Sequence, residues 1–185
     1  MDYLIRPVRA DEWLRMKELR LVALADQVAP VAFLETSEQA LARPDSFWQE
    51  RTVGASHGTS ARQFIAETPD GELVGTVVVL VEVVGAKDIF GVDITAPQAH
   101  LVGVFVRADH RGVGLTERLF EAAIEWAWSL DEPPVERVRL YVHEDNPRAR
   151  GFYRKIGFIA TGLTAPLENE AGGTDLEMEL VREPA

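Results

Sequence analysis

The stretch His100–Trp128, HLVGVFVRADHRGVGLTERLFEAAIEWAW, decides the fold. It opens as a β-rich run from His100 to Val106 and closes as an amphipathic helix from Leu115 to Trp128, with Arg111-Gly-Val-Gly between them. Leu115, Leu119, Ala122, Ala123 and Trp126 share one helical face, so the helix can pack on a sheet and hold the preceding loop rigid. Glycine at a strand-to-helix turn permits positive φ and lets backbone approach a ligand with no Cβ in the way. The first N–H groups of a helix have no internal partners and its dipole adds partial positive charge, so an anion is well placed there, and Arg111 adds a charged group. A tight connection that needs glycine only for its geometry reads the same way in isolation.

The flanking segments extend the pattern. Tyr3–Pro7 reads as a strand, followed by a helix capped by Asp11 with Trp13, Met16, Leu19, Leu21 and Leu24 at helical spacing. Residues 30–52 form a second helical stretch broken near Pro44, with Asp45 or Ser46 capping a further turn. Two β-rich runs, Arg62–Glu67 and Leu73–Val84, flank Pro69-Asp70-Gly71 and predict a hairpin. Residues 85–99 make a loop long for a hairpin, as binding-site loops often are. After the central stretch come a strand over Val135–Val142, a helix over Pro147–Ile156, and strands around Phe158–Gly162 and Leu176–Val181. This order predicts one domain over residues 1–185 of the α/β (α+β) class: a mixed, mostly antiparallel central sheet of about seven strands flanked by about four helices, with antiparallel hairpins in front and a β-α-β crossover behind.

Bulk properties exclude several classes. No apolar run approaches the roughly 18 residues that a membrane span needs, and the N-terminus lacks the basic and apolar regions of a secretory signal, so a cytoplasmic location is expected. The absence of cysteine removes disulfides, thiolate ligands and cysteine nucleophiles. A net charge of -11 argues against nucleic acid as a partner. Residues 107–155 nevertheless balance nine Lys/Arg against nine Asp/Glu, leaving one half able to tolerate a small anion and the other strongly acidic.

A second segment, LYVHEDNPRARGFYRKIGF (residues 140–158), runs from a strand through Asn146-Pro147 into a helix. There Phe152 and Ile156 read as core and Tyr153 as pointing elsewhere, free for chemistry. The Walker pattern is absent, and Gly112-Val-Gly114 lacks the third glycine of a dinucleotide fingerprint.

Together the two segments resemble the GNAT superfamily of acetyl-CoA-dependent N-acetyltransferases. Its pyrophosphate motif, Arg/Gln-x-x-Gly-x-Gly/Ala, is matched by Arg111, Gly112, Val113, Gly114, Leu115 and Thr116 except at the last place, where the Thr116 Cβ narrows the space. The downstream pattern Asn-x-x-Ala-x-x-x-Tyr-x-x-x-Gly-Phe is matched in full by Asn146, Ala149, Tyr153, Gly157 and Phe158. The resemblance implies acetyl-CoA as cosubstrate, a strand splayed from its neighbour to admit the pantetheine arm, and backbone hydrogen bonds to that arm from the Val104-Phe105-Val106 strand. It further implies that the Val104 N–H polarises the thioester carbonyl, that Asn146 orients the arm and that Tyr153 protonates the departing thiolate.

The acceptor poses its own requirement. A primary amine near pKa 10.4 is neutral in only about one molecule in 2,500 at pH 7, so a base must take a proton before attack. His100 is the candidate, eleven residues before Arg111, and simple alternation places it on one strand face with Val102, Val104 and Val106. A histidine that caps the strand start or sits in solvent is the competing reading. Gly54–Gly58, GASHG, matches G-x-S-x-G around Ser56, but its flanks read as helix end and strand start rather than a nucleophile elbow. His57, His100, His110 and His143 show no metal-ligand spacing, so no metal is expected. The reading is direct acetyl transfer to a primary amine of a small molecule or peptide, with a catalytically inactive acyl-CoA sensor as the alternative. Glu35, Glu38, Asp88, Asp93 and Asp175 hint at a cationic acceptor held between the N-terminal helices, the 85–99 loop and the Gly162–Asp175 hairpin. Oligomeric state is left open, a homodimer included.

Overall fold

The computed structural model describes residues 2–167 and 172–182. Seven strands, β1 (Leu4–Pro7), β2 (Ala61–Glu67), β3 (Leu73–Glu82), β4 (Gln98–Val106), β5 (Arg137–His143), β6 (Ile159–Pro166) and β7 (Thr174–Val181), form one sheet in the order β1-β2-β3-β4-β5-β7-β6. Every neighbouring pair is antiparallel except β4 and β5, which the helix α5 (Leu115–Trp128) joins as a β-α-β crossover. The predicted mixed sheet is therefore present. Among the described residues no helix is long and apolar enough to cross a membrane.

Among the described residues the α-helices number six where about four are expected, because the stretch after α1 (Trp13–Leu24) divides into α2 (Ala29–Ala32), α3 (Ser37–Ala42) and α4 (Asp45–His57) before α6 (Pro147–Lys155) completes the set. The breaks have local causes. Thr36 and Gln39 form a reciprocal capping box that starts α3 afresh, and Pro44 is the N-cap of α4, leaving Asp45 inside the first turn. At α1 the N-cap is Glu12 and not Asp11, and its carboxylate accepts from Arg6, Arg15 and the Arg9 N–H.

The main core lies between the sheet and α5 and is built from Val74, Val77, Val79, Leu101, Leu119 and Phe120 with their neighbours. The buried face of α5 is Leu115, Leu119, Phe120, Ala123 and Ala127, rotated from the expected stripe, because Phe120 turns towards Phe152, Tyr153 and Phe158. A second core on the opposite sheet face, with Met16, Leu19, Ile65 and Phe105, carries α1 and α4.

One acid sits in the apolar β3. Glu82 is 8% exposed and binds both Arg139 and His100. Burial alone would raise its carboxyl, and the hydrogen bonds from His100 and Arg139 outweigh that and hold it at about 2. Glu12, opposed by burial and held by Arg6 and the Arg9 N–H, is likewise at about 2. Both folded values lie below the ordinary 4.5, so the stability they give is complete above pH 4.5 and is lost as pH falls towards 2. Urea midpoints are expected to drop steeply across that window, and Glu82→Gln to flatten the drop; an unchanged slope in the variant would place the acid sensitivity elsewhere.

Candidate active site

Strands β4 and β5 pair only at Gln98–Arg137, Ala99–Val138 and His100–Arg139, and then diverge. The wedge between them opens into a cavity of about 820 Å³ walled by Val102 to Val106 on one side and Leu140 to His143 on the other. A bulge sharpens the divergence. Between the Thr76–Phe105 and Val78–Val102 pairs, β4 holds one residue more than β3, and Gly103 takes φ +62° there. The extra residue inverts the alternation: His100, Val102 and Phe105 share one sheet face with Val78 and Thr76, while Leu101, Val104 and Val106 belong to the α5 side. The expectation that His100, Val102, Val104 and Val106 share one face is thereby corrected.

At one end of the cavity lies the Arg111–Thr116 loop. Gly114 is the N-cap of α5 in the left-handed conformation, φ 79°. Among the described residues, no acceptor faces the backbone N–H groups of Gly112, Val113, Gly114, Leu115, Thr116 or Glu117. This leaves a run of donors at a helix N-terminus open to an anion. Gly112, Gly114 and Thr116 line the cavity, whereas Val113 is 60% exposed and turns its side chain away. Arg111 donates from Nε to the Val106 carbonyl at 2.8 Å and forms an ion pair with Asp26, so a bound anion there meets an arginine already held by a carboxylate. Asp26 escaped the sequence reading because no local signal links it to a loop 85 residues away.

α6 supplies the next wall. The Asn146 Oδ1 accepts from the Ala149 N–H at 3.2 Å and caps the helix, and among the described residues its amide nitrogen has no partner. Tyr153 is 8% exposed and packs between Phe120 and Phe158, while Phe152 and Ile156 are only partly buried. The expected division between core and free residues on α6 is reversed. Tyr153 nevertheless lines the cavity, its hydroxyl takes no hydrogen bond among the described residues, and burial pushes its phenol up to about 12.

His100 is 1% exposed, neither a solvent residue nor a strand cap. Its Nδ1–H donates to Glu82 Oε1 at 3.1 Å, the ring lies against Tyr141, and Nε2 is without a partner among the described residues. An ionised Glu82 accepts only, which assigns a proton to Nδ1 and leaves Nε2 as the ring atom that faces no protein partner among the described residues. Behind it, Arg139 joins Glu82, Asp88 and Glu177 in one buried cluster with Tyr141. Asp88 also accepts from the Phe90 and Val92 N–H groups, which folds the 85–99 loop over the cavity and sets Phe90 against Tyr141 at 4.7 Å.

Comparison with known proteins agrees with this geometry. The model of the acetyltransferase (GNAT) family matches residues 12–158. The chain belongs to that family. A search of curated proteins found no match. Among solved structures, the PaiA N-acetyltransferase of Thermoplasma acidophilum in complex with coenzyme A is similar, with TM-score 0.70 and 17% identity over 98% of this chain and 100% of that one. The spermidine N-acetyltransferase of Vibrio cholerae in complex with CoA and spermine gives 0.67 and 16% over 97% and 95%. The ribosomal-protein-S5-alanine acetyltransferase of Vibrio fischeri gives 0.71 and 14% over 98% and 93%.

GNAT enzymes use acetyl-CoA, and this chain's open donor run and strand wedge suit its pyrophosphate and arm. Gly114→Val would force a β-branched residue into the left-handed region and set its side chain beside the open N–H run, so strain in the turn and crowding of the anion act together. A loop displaced to relieve the strain, or a pyrophosphate pushed off its donors, should raise the acetyl-CoA Kd by roughly tenfold or more in isothermal titration. An unchanged Kd would show that the pyrophosphate does not depend on this turn.

The remaining predicted residues fall elsewhere. Ser56 sits in the last turn of α4, donates to the Val53 carbonyl and lies beside His57, with no strand before it. Among the described residues no three His, Asp or Glu side chains come together as a metal site. Of the acids read as a lure for a cation, Glu35 is paired with Arg20 and Arg43, Asp88 with Arg139 and Asp93 with Lys87, while Asp175 lines the cavity with burial raising its carboxyl. Part of the Gly162–Asp175 hairpin lies outside the described residues.

Proposed function

We propose that this GNAT acetyltransferase transfers the acetyl group of acetyl-CoA directly to the nitrogen of a primary amine, with Tyr153 as acid and His100 as base. The observation that carries this reading is that one cavity, opened by the β4–β5 wedge, is lined by the donor run at α5, the Tyr153 side chain and His100. The relatives whose names record an acceptor act on spermidine or on a ribosomal protein, both amine-bearing.

In this scheme His100 Nε2 takes one proton from the ammonium form of the acceptor, with Glu82 holding the tautomer. The freed nitrogen attacks the thioester carbonyl, whose oxygen is polarised by the Val104 N–H. As the C–S bond breaks, Tyr153 gives its proton to sulfur and recovers one from the nitrogen, leaving an amide and free CoA thiol. Asn146 orients the pantetheine arm through the amide nitrogen that capping leaves unused.

The test is acetyl-CoA titration followed by a free-thiol assay across a panel of amines. Amine-dependent thiol release is expected. Binding of acetyl-CoA with no release on any amine would overturn the transfer reading.

A further inference from the structure

The acceptor side of the cavity is lined by three arginines from different elements: Arg20 on α1, Arg43 just after α3 and Arg51 on α4. Arg20 and Arg43 share one carboxylate. Glu35 Oε2 accepts from Arg20 Nε at 3.1 Å and Oε1 from Arg43 Nε at 2.8 Å. Arg51 has no ion pair or hydrogen bond among the described residues, and its guanidinium lies 6.0 Å from the Phe47 ring. Arg20 stacks on Phe33 at 4.5 Å and Arg43 on Phe47 at 4.3 Å, which holds both planes in place. Burial pulls the partly enclosed Arg20 guanidinium below the ordinary arginine value, whereas Arg51 is exposed and reaches the cavity from α4. Three positive groups about one negative group leave a local excess of positive charge in a chain of net charge -11.

The position of this excess is informative. Arg20 and Arg51 also line a small second cavity that touches Gly103, at the bulge where β4 turns away from β5. The cluster is therefore on the sheet face that carries α1 and α4, across β4 from α5. The open N–H run for the pyrophosphate is a separate place, at the start of α5.

We propose that the acceptor amine also carries an anionic group, a carboxylate or phosphonate, and that Arg20, Arg43 and Arg51 seat it. Such a group completes the hydrogen bonding that Glu35 alone leaves short, and planar guanidiniums suit its oxygens. This rests on the amine-transfer reading and narrows its substrate class to a zwitterion, an ammonium at the reacting end and an anion at the other.

The test compares glycine, β-alanine, 4-aminobutanoate and 2-aminoethylphosphonate with the amides of the three acids and with spermidine, by thiol release from acetyl-CoA. The best anionic amine should exceed its uncharged counterpart in kcat/KM by about tenfold to hundredfold, the value of a charge-assisted hydrogen bond. That preference should collapse towards one in Arg51→Met and return in part in Arg51→Lys, with far-ultraviolet circular dichroism checking the fold of each. A second arm needs no turnover: N-acetylated amino acids and their amides are titrated into the CoA-saturated protein, where the acids should bind more tightly and lose the advantage in Arg51→Met. Equal or better use of amides or spermidine would overturn the anion seat and leave amine transfer intact. Arg51-dependent binding of the acids with no turnover on any amine would support the seat and overturn transfer. No turnover and no preference in binding would overturn both.

Discussion

Tyr153→Phe is expected to lower kcat by about 10²–10⁴-fold, the range for removing a general acid or base, while acetyl-CoA affinity barely moves. The substitution deletes one oxygen from a ring whose packing against Phe120 and Phe158 needs only the carbons. Burial holds the phenol at about 12, so Tyr153 is a donor at every pH between 5 and 10 and contributes no limb to the kcat profile there. A phenol this weak does not surrender its proton to a free thiolate, whose conjugate thiol has an ordinary value near 8.5. Donation must therefore accompany C–S cleavage, with the nitrogen's proton restoring the phenol. Thiol release at saturating substrates gives kcat, and titration of acetyl-CoA gives Kd. A fall in kcat of less than about threefold, outside the general-acid range, would reduce Tyr153 to a core aromatic.

Arg139→Met should lower the unfolding free energy by about 3–5 kcal/mol at pH 7, the cost of breaking a buried ion pair by removing one partner. Arg139 is 4% exposed and meets Glu82, Asp88 and Glu177. Without it, Glu82 keeps His100 and Gln98, and Glu177 keeps Arg137, Tyr141 and Thr161, which replace one buried cation by mostly neutral donors. The deficit should shrink towards pH 4, because carboxylates that have lost their cation protonate more readily in the folded state. Adding Glu82→Gln and Glu177→Gln to Arg139→Met should recover part of the loss. Urea unfolding of the wild type, the single variant and the triple variant at pH 7 and pH 4 measures these effects, and a single-variant loss below about 1 kcal/mol would mean the cluster relaxes or hydrates freely.

Much of this site is written in short stretches of chain. The α5 helix has the bounds predicted for it, because its apolar spacing and glycine start are both local. The two-glycine turn and the Asn146-Pro147 helix start are equally local, so this end of the cavity was legible. Glu82 and Arg139 were legible in principle: a lone acid in VVVLVEVV and an arginine in RVRLYV are charges in strands otherwise built for burial, a pattern that calls for a partner. Nothing in either run says which partner. The stretch after α1 divides more finely than periodicity alone indicates, because a capping box and a proline restart its helices.

The sequence by itself determined the element order, the crossover, the donor loop and the Tyr153 helix, since each depends on residues a few positions apart. Tertiary structure alone decided which face His100 takes, because the bulge at Gly103 is defined only by pairing with β3. It also decided that Tyr153 is enclosed rather than free, that Asp26 holds Arg111, and that Arg20, Arg43 and Arg51 meet around Glu35. Those facts depend on how α6 packs against α5 and how α1, α3 and α4 come together beside the sheet, and the distances that set charge, burial and hydrogen bonding exist only once that packing has brought remote residues together.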